Sequence, residues 1–499
     1  MKRYLLYIIA LLSLTSCNEW LDVRSETEAK EEDLFAKKNG FCNALTGIYM
    51  NLADRSGYGE ALTMSVIEEL AHNWLNDSYD YNVAYYYICR HEYTNSECKA
   101  AIKPVYENLY NSVVKTNVLI KNLEDNADAL QSYPQLKGCI EGEAHAIKAL
   151  CQFDILRLFG QLPNGQGTRK VRLPYSFTTT ITDIPSYYDY DEYVKLIFND
   201  LDKAIELLGK YDPALKYSLG ILNSPASLPG SFSEDYLTYR RERLNYWAVK
   251  GLRARINLYL GNTEAAYKEA LEVINARTED GDKVAGLNAQ SNLDAGYYTL
   301  PSESLFSLSK YDMFTYTNGK LFGYSSGNVT PNSHLVVTQA MLTEIFKGVN
   351  TASNNRYNSL WNRKAMNNQG QIYPALCKYY YNTSNGTASS TMQALIPMVR
   401  LSEMYLIAME TTKDLNEANT LYDTYMRDHN TLLEEPVFKS LDEVRTEVIK
   451  EYRREFYAEG HMFYTYKRLF TKKILWQTEE MEENDYIIPV PDTEYERKD

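Results

Sequence analysis

The chain has 499 residues, enough to bury a large core. Its formal charge of -14 argues against nucleic acid, whose phosphates call for a basic footprint. Tyrosine is abundant, 44 against 15 phenylalanines and 5 tryptophans, and its flat apolar face with a polar tip suits wet recognition surfaces.

The first element is a targeting segment. Lys2 and Arg3 precede an apolar run over 4–14, shorter than the ~20 residues that span a bilayer. Leu14-Thr15-Ser16-Cys17 then gives the bacterial lipobox pattern: a nucleophilic sulfur behind small residues that fit the peptidase. The alternative is an ordinary signal peptide with a cysteine near its end. We expect residues 1–16 to be a lipoprotein signal peptide, Cys17 the lipid anchor, and 17–499 a single domain. Acyl chains, at about 0.8 kcal/mol per buried methylene, would hold that domain on a membrane. Six other cysteines remain: Cys42, Cys89, Cys98, Cys139, Cys151 and Cys377. Export permits disulfides, but the spacing demands none; Cys89 and Cys98 are the one close pair.

Helical periodicity dominates the mature chain. Ile102, Tyr106, Leu109, Val113, Ile120 and Leu123 form one amphipathic stripe. Ala144, Ile147, Cys151, Ile155 and Leu158 form the next, stopped by Gly160 and Pro163. Ile197, Leu201, Ala204, Ile205 and Leu208 mark a third. Helices are predicted over 244–260 and 263–274 about a Gly261-Asn262 turn, then around Leu401–Ala408, over 417–427 and over 442–466. The 248–274 pair has small contact residues (Ala248, Gly251, Ala254, then Ala265, Ala266, Ala270) and reads as a degenerate tetratricopeptide unit, which must stack on neighbours to bury its apolar face. The fold class is therefore mostly α: a tetratricopeptide-like helical-repeat scaffold with long irregular, aromatic-rich loops. Those loops fall at about 54–98, 161–190, 211–235, 280–395 and 467–499; the first, third and fourth read as insertions that form the binding face.

Catalytic and metal motifs are weak. Gly323-Tyr324-Ser325-Ser326-Gly327 matches G-x-S-x-G, and Asp428 and His461 come later in hydrolase order, but no alternating strand-helix pattern surrounds them. Glu141 and His145 share a helix face with Glu143 nearby, and two ligands do not make a zinc site. Glu279-Asp280-Gly281-Asp282 lacks the spacing of a calcium loop and reads as a solvated turn. We expect no cofactor and no metal. An all-α glycoside hydrolase needs only two carboxylates about 5–10 Å apart, and 66 acidic residues leave room for such a pair. A pure protein-contact scaffold is the third reading; it has no use for long aromatic loops.

Five segments in order resemble the SusD/RagB lipoproteins of Bacteroidota: CNEWLDV at 17–23, GEAHAIKALCQFDILRLFGQLP at 142–163, IPMVRLSEMYLIAMET at 396–411, EYRREFYAEGHMFYTYKRL at 451–469 and IIPVPDTEYE at 487–496. The chain departs from the pattern at Phe456, where leucine is commoner, and at Tyr466-Lys467-Arg468, which lacks the usual Asp-Leu. The resemblance implies a non-catalytic outer-membrane lipoprotein facing the cell exterior. It also implies a partner, a SusC-like TonB-dependent transporter, over which the protein acts as a lid that captures a glycan or, in RagB relatives, a peptide. The motif charges Arg400, Glu403, Arg453, Arg454, Glu455 and Glu459 read as structural, with Arg400 and Glu403 able to pair across one helical turn.

Aromatic rings stack on the C–H faces of sugars while amides and carboxylates bond the hydroxyls. Two loop clusters have that mixture. One contains Trp74, Asn76, Tyr79 and Tyr81; relatives often carry a stacking aromatic there, so Trp74 is the first choice. The other contains Tyr311, Phe314 and Tyr316, with Tyr324 and Trp361 as outer candidates.

Overall fold

The computed structural model describes residues 31–75, 78–80, 82–180, 183–321, 328–381, 390–433 and 437–496. Cys17, Asn76, Tyr81, Tyr324 and the G-x-S-x-G segment lie outside the described residues.

Ten longer helices carry the scaffold: α1 (Lys38–Leu52), α2 (Ser96–Asp125), α3 (Pro134–Phe159), α4 (Tyr190–Tyr211), α5 (Tyr246–Tyr259), α6 (Thr263–Ile274), α7 (Leu401–Thr411), α8 (Leu415–Asp428), α9 (Leu441–Glu455) and α10 (Met462–Leu469). Consecutive helices from α2 to α8 pack as neighbours, which is the stacked-hairpin pattern of a tetratricopeptide-like array. Starts and stops follow local chemistry. Asn95, Asn245, Asp414 and Ser440 cap α2, α5, α8 and α9 by accepting backbone N–H groups of the first turn. Pro134 opens α3 and Gly160 closes it. Gly261, at φ +75°, makes the α5–α6 turn.

Helix α3 is the hub. Every residue from Ala146 to Phe159 is buried, so the helix is enclosed on all sides rather than along one striped face, with Lys148, Gln152, Asp154 and Arg157 as its buried polar members. Glycine lets α4 approach it: a Cβ at Gly138 would run into the Tyr211 ring, and one at Gly142 into Leu208.

Three features depart from the sequence expectation. Helix α1 is an addition to the predicted helices, with Phe41, Leu45, Ile48 and Leu52 as its buried stripe. The predicted 442–466 helix is two helices. The backbone turns at Ala458 (φ 62°) and Gly460 (φ 75°), where a Cβ on Gly460 would strike the Leu62 carbonyl. The 280–395 insertion is tied to the scaffold by an antiparallel pair, β1 (Ser304–Ser309) with β2 (Leu395–Arg400), in register Phe306 with Val399 and Leu308 with Ile396. Both strands are buried and β2 runs straight into α7.

The six described cysteines are buried thiols outside any disulfide, so the Cys89–Cys98 bridge is not formed; burial pushes both of those thiols up to about 12. No helix among the described residues is long and apolar enough to cross a membrane.

Candidate functional site

The two candidate tryptophans are core residues. Trp74 is 1% exposed and Trp361 4%. Both pack edge-on against one ring, that of Tyr457, at 5.0 and 5.1 Å between centroids. The Trp74 indole donates to the Met64 carbonyl at 2.8 Å, and the Tyr457 hydroxyl donates to the Asn73 carbonyl. Neither tryptophan presents a face to solvent, which corrects the assignment of both as ligand contacts. The loop that looked polar and outward folds inward because indole N–H and tyrosine O–H satisfy its buried carbonyls.

Beneath this lies a buried ion network. Arg400 reaches Glu303 at 2.5 Å, Glu455 at 2.7 Å and Glu459 at 2.8 Å. Lys378 pairs with Glu459 at 2.6 Å, Arg356 with Glu451 at 2.7 Å and Glu455 at 3.1 Å, and Arg454 with Glu451 at 2.5 Å. The expected Arg400–Glu403 turn pair is not made: Arg400 ends β2, and Glu403 instead takes Arg255 at 2.6 Å. These charges are spent on each other, and they fix the 303–459 region as a rigid base.

The other described candidates lie in two surface clusters. Tyr79 is 52% exposed and stands edge-on to Tyr86 and Tyr87, at 5.8 and 6.2 Å. Those two tyrosines lie on the short helix Val83–Ile88, capped by Asn82, and the Arg90 guanidinium sits 4.0 Å over the Tyr86 ring. Tyr311 is 83% exposed; Phe314 is exposed beside it and stacks on Tyr381 at 5.4 Å. Buried Met313 roots that turn, and Asn318 exchanges hydrogen bonds with the Tyr381 backbone.

The turn over 54–60 joins the two clusters. Arg55 lies 4.6 Å over the Tyr316 ring, pairs with Glu60 at 2.5 Å, and its charge is felt by Tyr316 and by Tyr85 of the tyrosine helix. Tyr316 is half-buried and donates to the Gly59 carbonyl at 2.7 Å, so it positions the turn more than it offers a face. Burial alone would raise the Asp54 carboxyl, but the Ser56 hydroxyl and amide, with Lys310 nearby, hold it below its ordinary range. The result is exposed aromatics with the Asp54 carboxylate and the Arg55 and Arg90 guanidinia among them, a surface suited to stacking and hydroxyl recognition. Sequence reading missed Asp54, Arg55, Tyr86, Tyr87 and Arg90. The run Tyr85-Tyr86-Tyr87 behind the Asn82 cap was the available signal.

The residues of the hydrolase and zinc readings are committed elsewhere. Glu143 is buried between Arg240 and Arg243 and accepts from the Tyr49 hydroxyl. His145 pairs with Asp200 at 2.6 Å. Asp428 accepts the Ala289 amide at 3.0 Å, and His461 is held well below its ordinary range by burial and then by Arg255, Arg157, Arg400 and Lys378. Among the described residues no group of three or more His, Cys, Asp or Glu side chains is placed to hold a metal ion.

No family model matches the chain. A SusD-like protein of Formosa agariphila is 21% identical over 293 residues, 55% of this chain; the chain spans under half, 46%, of that relative's length. A SusD homologue from Bacteroides thetaiotaomicron superposes with a TM-score of 0.66 at 14% identity, over 95% of this chain and 97% of that one. A SusD-like carbohydrate binding protein from Bacteroides vulgatus gives 0.65 at 14% identity, over 92% and 96%. A SusD superfamily protein from Bacteroides thetaiotaomicron gives 0.63 at 20% identity, over 92% and 98%. With its tetratricopeptide-like scaffold, the chain shares the fold of these SusD superfamily structures.

Proposed function

We propose that this chain is a non-catalytic, lipid-anchored protein of the outer-membrane surface that captures a glycan and passes it to a SusC-like TonB-dependent transporter. The observation that carries the reading is the exposed face itself. Tyr79, Tyr311 and Phe314 present aromatic surface around Arg55 and Asp54, above a base locked by buried ion pairs. Aromatic rings supply contact area at low entropic cost, and the fixed charges supply orientation. Of the carboxylates nearest these rings, Glu60 pairs with Arg55, Asp54 accepts from Ser56 and Asp312 pairs with Lys310, partners that suit binding more than acid–base work. The fold likeness to a Bacteroides vulgatus carbohydrate binding protein supports the choice of ligand class. The lipobox at Cys17 supports the anchor and the location.

Calorimetry of the mature protein against soluble glycans and short peptides tests the reading. Binding of an oligosaccharide without its hydrolysis is the expected result. Hydrolysis of any bound glycan would sink the non-catalytic claim, and binding of peptides alone would move the protein to the RagB-like reading. Co-purification from outer membranes with a TonB-dependent barrel, abolished by Cys17→Ala, tests the partner and the anchor together.

A further inference from the structure

A second concavity of about 410 Å³ opens beside the exposed aromatic face, between α1 and the 235–243 segment. Its contents are aromatic and polar: Tyr239 and Tyr236, Met50, and the acids Asp235 and Glu242. Three observations mark it as built for an occupant.

Tyr239 holds φ 52°, a left-handed backbone that costs a side-chain-bearing residue about 1–2 kcal/mol. The strain is imposed by rigid neighbours. The Tyr239 amide donates to the Leu222 carbonyl at 2.8 Å, and the next residue, Arg240, is buried and clamped to Asp212 at 2.8 Å and to Glu143. The product of that strain is a ring 45% exposed at the cavity, stacked on no other ring among the described residues. Second, Gly47 lies inside α1, where glycine costs about 1 kcal/mol, and a Cβ there would meet nothing of the protein. Its neighbour Thr46 lines the cavity, and the missing side chain leaves open space beside it. Third, Met50 sits three residues on, on the same helix face, at 68% exposure.

The cavity is continuous with the proposed glycan face. Ser309 lines it, and Lys310 and Tyr311 are the next residues along the chain. Met50 lines it, and the turn that carries Asp54 begins where α1 ends at Leu52.

We propose that this cavity is a second sugar subsite, in which a pyranose ring stacks on Tyr239 while its hydroxyls reach Asp235 and Glu242, and that one oligosaccharide spans it and Tyr311. The inference rests on the glycan reading of the first face and adds a requirement for chain length.

Hydroxyl-radical footprinting of the full mature chain tests it, with hexasaccharides and disaccharides of α-glucan, β-glucan, xylan and mannan as probes. A hexasaccharide that protects Tyr311 and Tyr79 is expected to protect Met50 and Tyr239 as well, while its disaccharide protects the first pair only. Tyr239→Asn, which tolerates the left-handed backbone, and Tyr239→Ala are both expected to weaken hexasaccharide binding about tenfold, a 1.4 kcal/mol change, with disaccharide binding unchanged. Protection of Tyr311 and Tyr79 without Met50 and Tyr239 overturns the second subsite and leaves the first reading intact. Protection of Met50 and Tyr239 alone keeps the cavity as a sugar site and overturns the first face and the spanning chain. Protection of neither pair by any probe overturns both.

Discussion

Arg400 is the residue on which the base of the site depends, and Arg400→Met has a calculable signature. Its guanidinium reaches Glu303, Glu455 and Glu459 at 2.5–2.8 Å, with every partner buried. The network joins four cations (Arg356, Lys378, Arg400, Arg454) to five carboxylates (Glu303, Glu447, Glu451, Glu455, Glu459), with His429 also 2.9 Å from Glu455. Methionine fills similar volume but strands one buried negative charge. Breaking such a pair costs about 3–5 kcal/mol, roughly a fifth or more of the ~5–15 kcal/mol that holds a typical domain folded. The pH dependence is diagnostic. In the native protein burial pushes against the Glu451 carboxylate, but Arg356 and Arg454 hold it down to about 2, so its stabilisation is present above its ordinary value of 4.5 and is lost as pH falls toward 2. Burial already holds the Glu303 carboxyl above its ordinary value in the parent while Arg400 works against that rise, so in the variant it climbs further. The folded variant then takes up a proton that the unfolded chain does not. Its deficit is therefore full at neutral pH and shrinks as pH falls through that raised value. Urea denaturation of both proteins across pH 4–8 measures this. A variant as stable as the parent at neutral pH, or a deficit that grows on acidification, would refute the reasoning.

Trp74→Ala is expected to lower stability by about 3–5 kcal/mol through the cavity it leaves, read as a lower urea midpoint, while glycan affinity of the folded fraction changes little; a large affinity loss at unchanged stability would restore Trp74 to the binding face. Tyr311→Ala should do the reverse: stability within about 0.5 kcal/mol, and affinity for a bound glycan reduced by about 1–2 kcal/mol in calorimetry. Glu68 is buried, and burial pushes its carboxyl up to about 7 against the hydrogen bonds from Asn73 and Gly460. Because that folded value lies above the unfolded 4.5, stability attributable to Glu68 is greatest below 4.5 and declines as pH rises through 7. Glu68→Gln should flatten that part of the stability profile, and an unchanged slope between pH 4.5 and 7 counts against the assignment.

The scaffold was legible because its helices are amphipathic or cleanly punctuated, as with the Gly160 stop and the Gly261 turn. What escaped was non-local. The runs around Phe306 and Val399 are short and apolar, a pattern shared by buried strands and buried helix segments, and only their pairing across some ninety residues makes them β1 and β2. Helix α1 hid because Gly40 and Gly47 interrupt its propensity, while its stripe is anchored by tertiary contacts. At the candidate site, composition singled out aromatic-rich loops but not which ring faces out. The same limit governs tyrosine. Many of the 44 lie inside, and their hydroxyls donate to carbonyls that no long helix satisfies: Tyr93 to Asp485, Tyr110 to Pro174, Tyr379 to Ala458, Tyr486 to Thr471. A fold with so much irregular chain buries loop carbonyls that need donors, and a phenol brings one together with a large apolar ring. Tyrosine abundance in this chain is thus first a consequence of packing loops onto helices. The recognition surface proposed above draws on Tyr79, Tyr239 and Tyr311, rings that the same loops leave exposed.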